Sequence, residues 1–224
     1  HNAVPDPMRM DAARPAGASG DTTSATRDTH DGPVNIVFLG QLGPRKGVPE
    51  LLEALSHPSM STLPWRAVLA GDGPVAKYRA ETVRRGLAHK VSLPGWLSAD
   101  KTRALCSNSD ILVLPSRGEG MAMAVLEGLA HGLTVVTTRV GAHQEVLEDS
   151  VTGVFVPVGD PPALARALAD LIKDPAKRAR IARAGREQYL KAFSIEAYLG
   201  KLDRLYASLA RPQGGAAPAL GRRA

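Results

Sequence analysis

The sequence predicts an α/β fold: a Rossmann-like, doubly wound parallel sheet. Three observations carry the prediction. Short apolar runs alternate with helical segments through residues 34–209. The runs are Val- and Leu-rich on both faces, as strands covered by helices on both sides must be. Gly-rich, polar loops follow the runs, where open α/β sheets bind ligands outside the carboxyl ends of their strands. The candidate strands are 34–39, 67–70, 90–93, 111–114, 134–137 and 153–156, and the candidate helices are 48–55, 75–87, 99–107, 121–131, 161–173, 175–191 and 195–209. Strand, helix, strand repeated in this way implies right-handed crossovers. Capping signals mark the helix starts. Ser98 precedes Ala99, Asp160 precedes Pro161 and Pro162, Asp174 precedes Pro175, and Ser194 precedes the last helix.

Composition narrows the function classes. The chain has 224 residues, 44% hydrophobic and only 4% aromatic, so aliphatic side chains must fill the core. No apolar run reaches the roughly 18 residues a membrane helix needs, and no signal-peptide core is visible. Cys106 is the single cysteine, which excludes an internal disulfide or a multi-Cys metal site. These features point to a cytoplasmic chain. The net charge of +6 is compatible with nucleic acid, acidic membrane surfaces or phosphorylated ligands, and does not choose among them. Residues 1–33 are rich in Pro, Gly, Ser, Thr and Asp without apolar periodicity and read as a disordered linker or arm; residues 210–224 read as a disordered tail.

The loops carry the chemistry. After the first strand comes Gly40-Gln-Leu-Gly-Pro-Arg-Lys-Gly47. Arg45 and Lys46 place two cations at the mouth of the next helix, a natural diphosphate site; a plain Gly-rich turn with surface cations reads as well. The stretch is neither a Walker A loop nor a dinucleotide fingerprint. Gly71-Asp-Gly-Pro74 reads as turn chemistry. In Pro94-Gly-Trp-Leu-Ser98, Trp96 either stacks on a base or joins the core. After the fourth strand, Glu119 lies in a Gly-flanked loop and Glu127 eight positions on. On one continuous helix, eight residues return to within about 80° after about 12 Å. That spacing is too long for joint work at one glycosidic bond and suits two separate polyols, a hexose at the loop and a ribose at the helix. The alternative for Glu127 is a structural pairing with Arg or a cap. The backbone N–H groups of Gly120, Met121 and Ala122 would sit at a helix N-terminus that favours phosphate. Glu145 opens a short helix after the fifth strand, and His143 beside it reads as polar surface.

Together these loops resemble one family. Pro115-Ser116, Glu119-Gly120, Leu126-Glu127-Gly128-Leu129-Ala130, Gly132, Val135-Val136, Gly141, Glu145-Val146, Gly153, Val156-Pro157 and Asp160 resemble the carboxyl-terminal half of GT-B glycosyltransferases, most closely the retaining, nucleotide-sugar-dependent "glycosyl transferases group 1" (family 4) type. His1-Asn-Ala-Val4 resembles the start of that family's interdomain linker. The resemblance implies one of two Rossmann-like domains, and it implies roles. Glu119, Gly120, Met121 and Ala122 would contact the donor sugar, and Glu127 the ribose hydroxyls. Lys46 would bind the diphosphate, with Arg45 beside it and Gly40 and Gln41 against it; Gly95, Trp96 and Leu97 would face the base. There are departures: Gln41 stands where the family usually has Arg, Gly120-Met121-Ala122 where Gly-Phe-Gly is frequent, and Gly141-Ala142 where Gly-Gly is usual. Either Arg45 supplies the charge missing at Gln41, or diphosphate binding is weaker.

The implied reaction transfers a hexose from a nucleoside diphosphate sugar to an acceptor hydroxyl with retention, in polysaccharide or glycolipid synthesis. Neither metal nor cofactor is implied; the nucleotide sugar is a substrate. Implied partners are the donor, an acceptor sugar or lipid-linked sugar, peripheral contact with the inner membrane surface, and an amino-terminal acceptor domain. No such domain is encoded in these residues, so the chain is expected to be a fragment with little activity alone. The competing readings are a non-catalytic nucleotide-sugar-binding or interaction module, a sugar-nucleotide epimerase or phosphorylase of the same architecture, and, from charge alone, a nucleic-acid binder.

Overall fold

A computed structural model describes residues 4–8 and 32–210. Six parallel strands, β1 (Val34–Leu39), β2 (Trp65–Ala70), β3 (Val91–Gly95), β4 (Ile111–Leu114), β5 (Thr134–Thr138) and β6 (Val154–Val156), form one sheet in the order β3-β2-β1-β4-β5-β6. Chain direction across the sheet reverses between β1 and β4, which opens a crevice at their carboxyl ends. The central strands are apolar throughout because neither face meets water: Val37, Phe38 and all four residues of β4 are fully buried.

Nine helices cover the sheet: α1 (Val48–Leu55), α2 (Pro58–Ser61), α3 (Val75–Arg84), α4 (Ala99–Ser107), α5 (Met123–Ala130), α6 (His143–Val146), α7 (Pro161–Lys173), α8 (Pro175–Ala192) and α9 (Ile195–Ala210), all counted among the described residues. A 3-10 turn, Pro44–Lys46, precedes α1. Helix α7 buries Leu164, Ala165, Leu168, Ala169, Leu171 and Ile172, an i, i+3/i+4 stripe, and packs on α1, α2 and β6.

Three of the four expected caps form. The Asp160 carboxylate accepts from the Ala163 N–H at 2.8 Å, Asp174 from that of Lys177 at 2.8 Å, and the Ser194 hydroxyl from that of Ala197 at 3.1 Å. Ser98 caps only through its backbone: its carbonyl accepts from Thr102, and its side chain makes no cap bond. Asp160→Ala is expected to lower stability by about 1 kcal/mol, read as a lower urea midpoint at unchanged slope.

Several expected bounds shift, α3 stopping at Arg84 short of 87, β2 starting at Trp65 and β3 running to Gly95; two changes go further. Helix α5 starts at Met123 instead of 121, because Ala122 is extended (φ −78°, ψ 110°) after the Gly118-Glu119-Gly120 loop. Glu119 therefore stands outside the helix, and the 80° estimate for the two glutamates does not apply. Residues 4–8, assigned by composition to the loose arm, are docked. Tyr189 donates its hydroxyl to the Val4 carbonyl at 2.5 Å, and Arg186 pairs with Asp6 at 2.6 Å while donating to the Ala130 carbonyl at the end of α5. Residues 1–3 and 9–31 of the arm, and the tail beyond 210, lie outside the described residues.

Candidate functional site

The site is built on the loops that leave β1 and β4. Lys46 is the last residue of the 3-10 turn, and its Nζ meets Glu119 Oε1 at 2.7 Å. Ser116, at the end of β4, donates its hydroxyl to the same oxygen at 2.6 Å. The Glu119 side chain is only 6% exposed, so it needs these partners. Burial alone would raise its pKa; the hydrogen bonds from Lys46 and Ser116 and the charges of Lys46 and Arg45 outweigh that and hold it below the usual carboxylate range. Glu119 is therefore ionised at neutral pH.

Further contacts zip the two loops together. The Arg117 N–H donates to the Arg45 carbonyl at 2.8 Å, and the Arg45 guanidinium to the Gly118 carbonyl at 3.3 Å. The Arg117 guanidinium holds Glu50, on the first turn of α1. Arg45 itself is mostly exposed and reaches Glu119 only at 3.9 Å. Its guanidinium ties the two loops together here.

Beside this ion cluster lies an open cleft of about 380 Å³. Five residues expected at the ligand line it: Gly40, Gln41, Trp96, Leu97 and Glu127. Gly40 connects cleft and cluster, since a Cβ on it would lie 3.7 Å from the Lys46 Cε. Glu127, inside α5, is half-buried, and its carboxylate has no hydrogen-bond or ion-pair partner among the described residues. The structural pairing considered for it is not found. Burial raises its pKa above the ordinary value, because the ionised form loses solvation. Trp96 is 74% exposed, so it serves the cleft rim and not the core. Gly95 ends β3 just before it. Gly120, Met121 and Ala122 run from the ion cluster to α5, and their N–H groups donate to nothing among the described residues. Ala122 lacks a capping side chain, leaving the α5 N-terminus open to an anion.

Four residues escaped the sequence reading. Asp72, read as turn chemistry, lines the cleft, and its carbonyl accepts from the Leu42 N–H at 2.6 Å. Thr102, in the first turn of α4, lines it too and had no sequence signal. Ser116 could have been found from its place at the end of an apolar strand, three residues before a glutamate. His143, expected on the surface, is fully buried.

A crevice at the sheet's switch point, ringed by Gly-rich loops, with the Lys46–Glu119 pair beside it and an open helix N-terminus, defines a doubly wound, Rossmann-like domain. The chain belongs to the family described as glycosyl transferases group 1, whose pattern matches residues 22–188. It is 28% identical over 172 residues to an alpha-D-kanosaminyltransferase of Streptomyces kanamyceticus, covering 76% of this chain and 45% of that protein. It is 32% identical over 179 residues to the lipopolysaccharide core biosynthesis glycosyltransferase LpsE of Rhizobium meliloti, covering 80% and 51%. The chain thus spans about half the length of the curated relatives it matches. Among solved structures, Anabaena HepE in complex with UDP and glucose superposes with a TM-score of 0.69 at 23% identity, over 79% of this chain and 48% of that one. The carboxyl-terminal domain of the group 1 protein LpcC from Francisella tularensis superposes with a TM-score of 0.68 at 24% identity, over 73% and 88%. The neighbours are GT-B glycosyltransferases, and the sheet shares their Rossmann-like fold. Among the described residues no helix is long and apolar enough to cross a membrane.

Proposed function

We propose that this chain is the donor-binding domain of a retaining hexosyltransferase that moves a hexose from a nucleoside diphosphate sugar to an acceptor hydroxyl. The observation that carries the reading is the Glu127 carboxylate, unpartnered among the described residues, in a cleft adjoining the Lys46–Glu119 pair. A carboxylate kept half-buried without a protein donor suits the vicinal hydroxyls of a ribose. With the ribose at Glu127, the base lies toward Trp96 and Leu97, and the diphosphate toward Lys46, Gly40 and Gln41. The sugar then falls at Glu119 and residues 120–122.

In that arrangement Lys46 and the open α5 N-terminus meet the charge that grows on the leaving diphosphate, and Glu119 orients the hexose. Preorganised cations and N–H groups supply the electrostatics, so the reading calls for no cofactor. An acceptor, a sugar or lipid-linked sugar, would be held by a second domain across the cleft. Three features support that domain: the half-length match to relatives, the LpcC carboxyl-terminal domain as a neighbour, and the exposed Leu199, Leu205, Tyr206 and Leu209 of α9. Cytoplasmic placement, at the inner membrane surface when the acceptor is lipid-linked, follows from the same reading.

Calorimetric titration of the chain with UDP, GDP and ADP tests it. Saturable binding of at least one is expected, and no binding to any overturns the reading. Trp96→Ala is expected to weaken that binding about fivefold, roughly 1 kcal/mol of lost base stacking, without moving the melting midpoint.

A further inference from the structure

His143 is fully buried at the start of α6, although a loop histidine would ordinarily sit in solvent. Its ring orientation is settled by two contacts. Nδ1 lies 3.0 Å from the Thr138 carbonyl and 3.1 Å from the Thr137 hydroxyl oxygen. The carbonyl can only accept, and the Thr137 proton is already given to the Leu114 carbonyl at 2.8 Å. Both contacts therefore require the proton on Nδ1, which leaves Nε2 as a bare acceptor. That Nε2 is buried and has no hydrogen-bond partner among the described residues. Protonation does not relieve it at neutral pH, because burial lowers the ring's pKa.

The ring belongs to the turn that backs the donor site. The Ala142 N–H donates to the Gly120 carbonyl at 2.8 Å. At Gly141 (φ +54°) a Cβ would stand 2.2 Å from the Gly120 carbonyl oxygen and 2.3 Å from that of Glu119, so only glycine permits this approach. The charges of Glu119 and Lys46 both reach the ring. Lys46 is engaged with Glu119, whereas the N–H groups of Gly120, Met121 and Ala122 are unengaged among the described residues. Among the described residues, a buried acceptor without a donor thus stands one residue along the chain from the turn that bonds a segment of donors without acceptors.

We propose that His143 is a positioning residue of the donor site: its bare Nε2 takes a hydrogen bond from the backbone of residues 119–122 when a nucleoside diphosphate draws that segment around its phosphates. The inference rests on the nucleotide-binding reading above. It separates the two ring nitrogens, Nδ1 holding the turn to β5 and Nε2 serving the ligand-bound loop.

Two variants of the full chain separate them as well. An Asn amide can replace Nδ1, and a Gln amide can replace Nε2. The probe is whichever of UDP, GDP and ADP binds wild type most tightly. His143→Asn is expected to keep the ligand-free melting midpoint near wild type and to weaken binding about tenfold, the size of one ordinary hydrogen bond. His143→Gln is expected to lower the midpoint and to retain affinity within about twofold. This crossed pattern distinguishes positioning from general support of the fold. Wild-type affinity in the Asn variant, or affinities that simply follow the melting midpoints, would overturn the assignment to Nε2. Failure of wild type to bind any of the three nucleotides would instead remove the nucleotide-binding reading, and this inference with it.

Discussion

Glu127→Gln is expected to weaken nucleoside diphosphate binding about 10- to 100-fold, the range for losing hydrogen bonds to a charged acceptor. The same change is expected to stabilise the ligand-free fold at neutral pH. The glutamine keeps the shape of the side chain and so separates charge from packing. In the folded chain Glu127 is half-buried with no donor among the described residues, and burial raises its pKa. The folded state therefore holds this proton to higher pH than the unfolded chain does. Its contribution to stability is fully present below the ordinary carboxylate range and is lost as the pH rises through the raised value. Above that value the ionised group is a net cost, which glutamine does not carry. Melting scans should show the variant above wild type at pH 7, the gap closing as the pH falls below the ordinary carboxylate range. Calorimetry at pH 7 should show the binding loss. A carboxylate retained for structure would give the opposite sign in the melting scan. Binding that survives the substitution would place the ribose elsewhere.

Glu119 shows why two glutamates eight residues apart behave differently. Its pKa is held down by Lys46, Ser116 and Arg45, none of which is its neighbour on a helix. The motif that named both residues was legible in sequence because loop–helix spacing and Gly punctuation are local. So were β1, β4, α1, α4 and α7, whose bounds follow from uninterrupted apolar runs, Asp-Pro starts and a helical stripe. The start of α5 was not. Met121 and Ala122 are good helix formers, but the glycines at 118 and 120 and the contact of Gly120 with the 141–142 turn keep the segment extended. The burial of His143 was not legible either: its Nδ1 contacts with Thr137 and Thr138 form only when the turn after β5 folds back on the end of the strand. Arg45 was read as a diphosphate cation from its place beside Lys46. Its bond to the Gly118 carbonyl arises only when the loops after β1 and β4 meet at the switch point. Docking of Val4 and Asp6 on α8 likewise joins residues about 180 positions apart.

Gly47→Ala is expected to destabilise the chain by more than about 3 kcal/mol, enough to lower the melting midpoint by roughly 10 °C for a domain of this size. Two independent costs add at this position. Gly47 has φ +73°, the left-handed region, where an alanine costs about 1 kcal/mol or more. Its Cβ would also stand 2.0 Å from the Pro115 carbonyl oxygen and 2.7 Å from its carbon, a clash with backbone that no side-chain rotation relieves. The close approach is the point where the loop carrying Lys46 crosses the end of β4. Relief must therefore move Lys46 relative to Glu119, 2.7 Å apart in the present arrangement. Nucleotide binding should fall in whatever fraction remains folded. Gly43→Ala, four residues earlier in the same loop, is the control. Gly43 is extended at φ −179°, and an added Cβ meets nothing within 4 Å, so its stability should stay within about 0.5 kcal/mol of wild type. Equal stability of the two variants, measured by urea unfolding, would mean that the two loops are not locked together at Gly47 and that the Lys46–Glu119 pair is held by the other contacts between the loops.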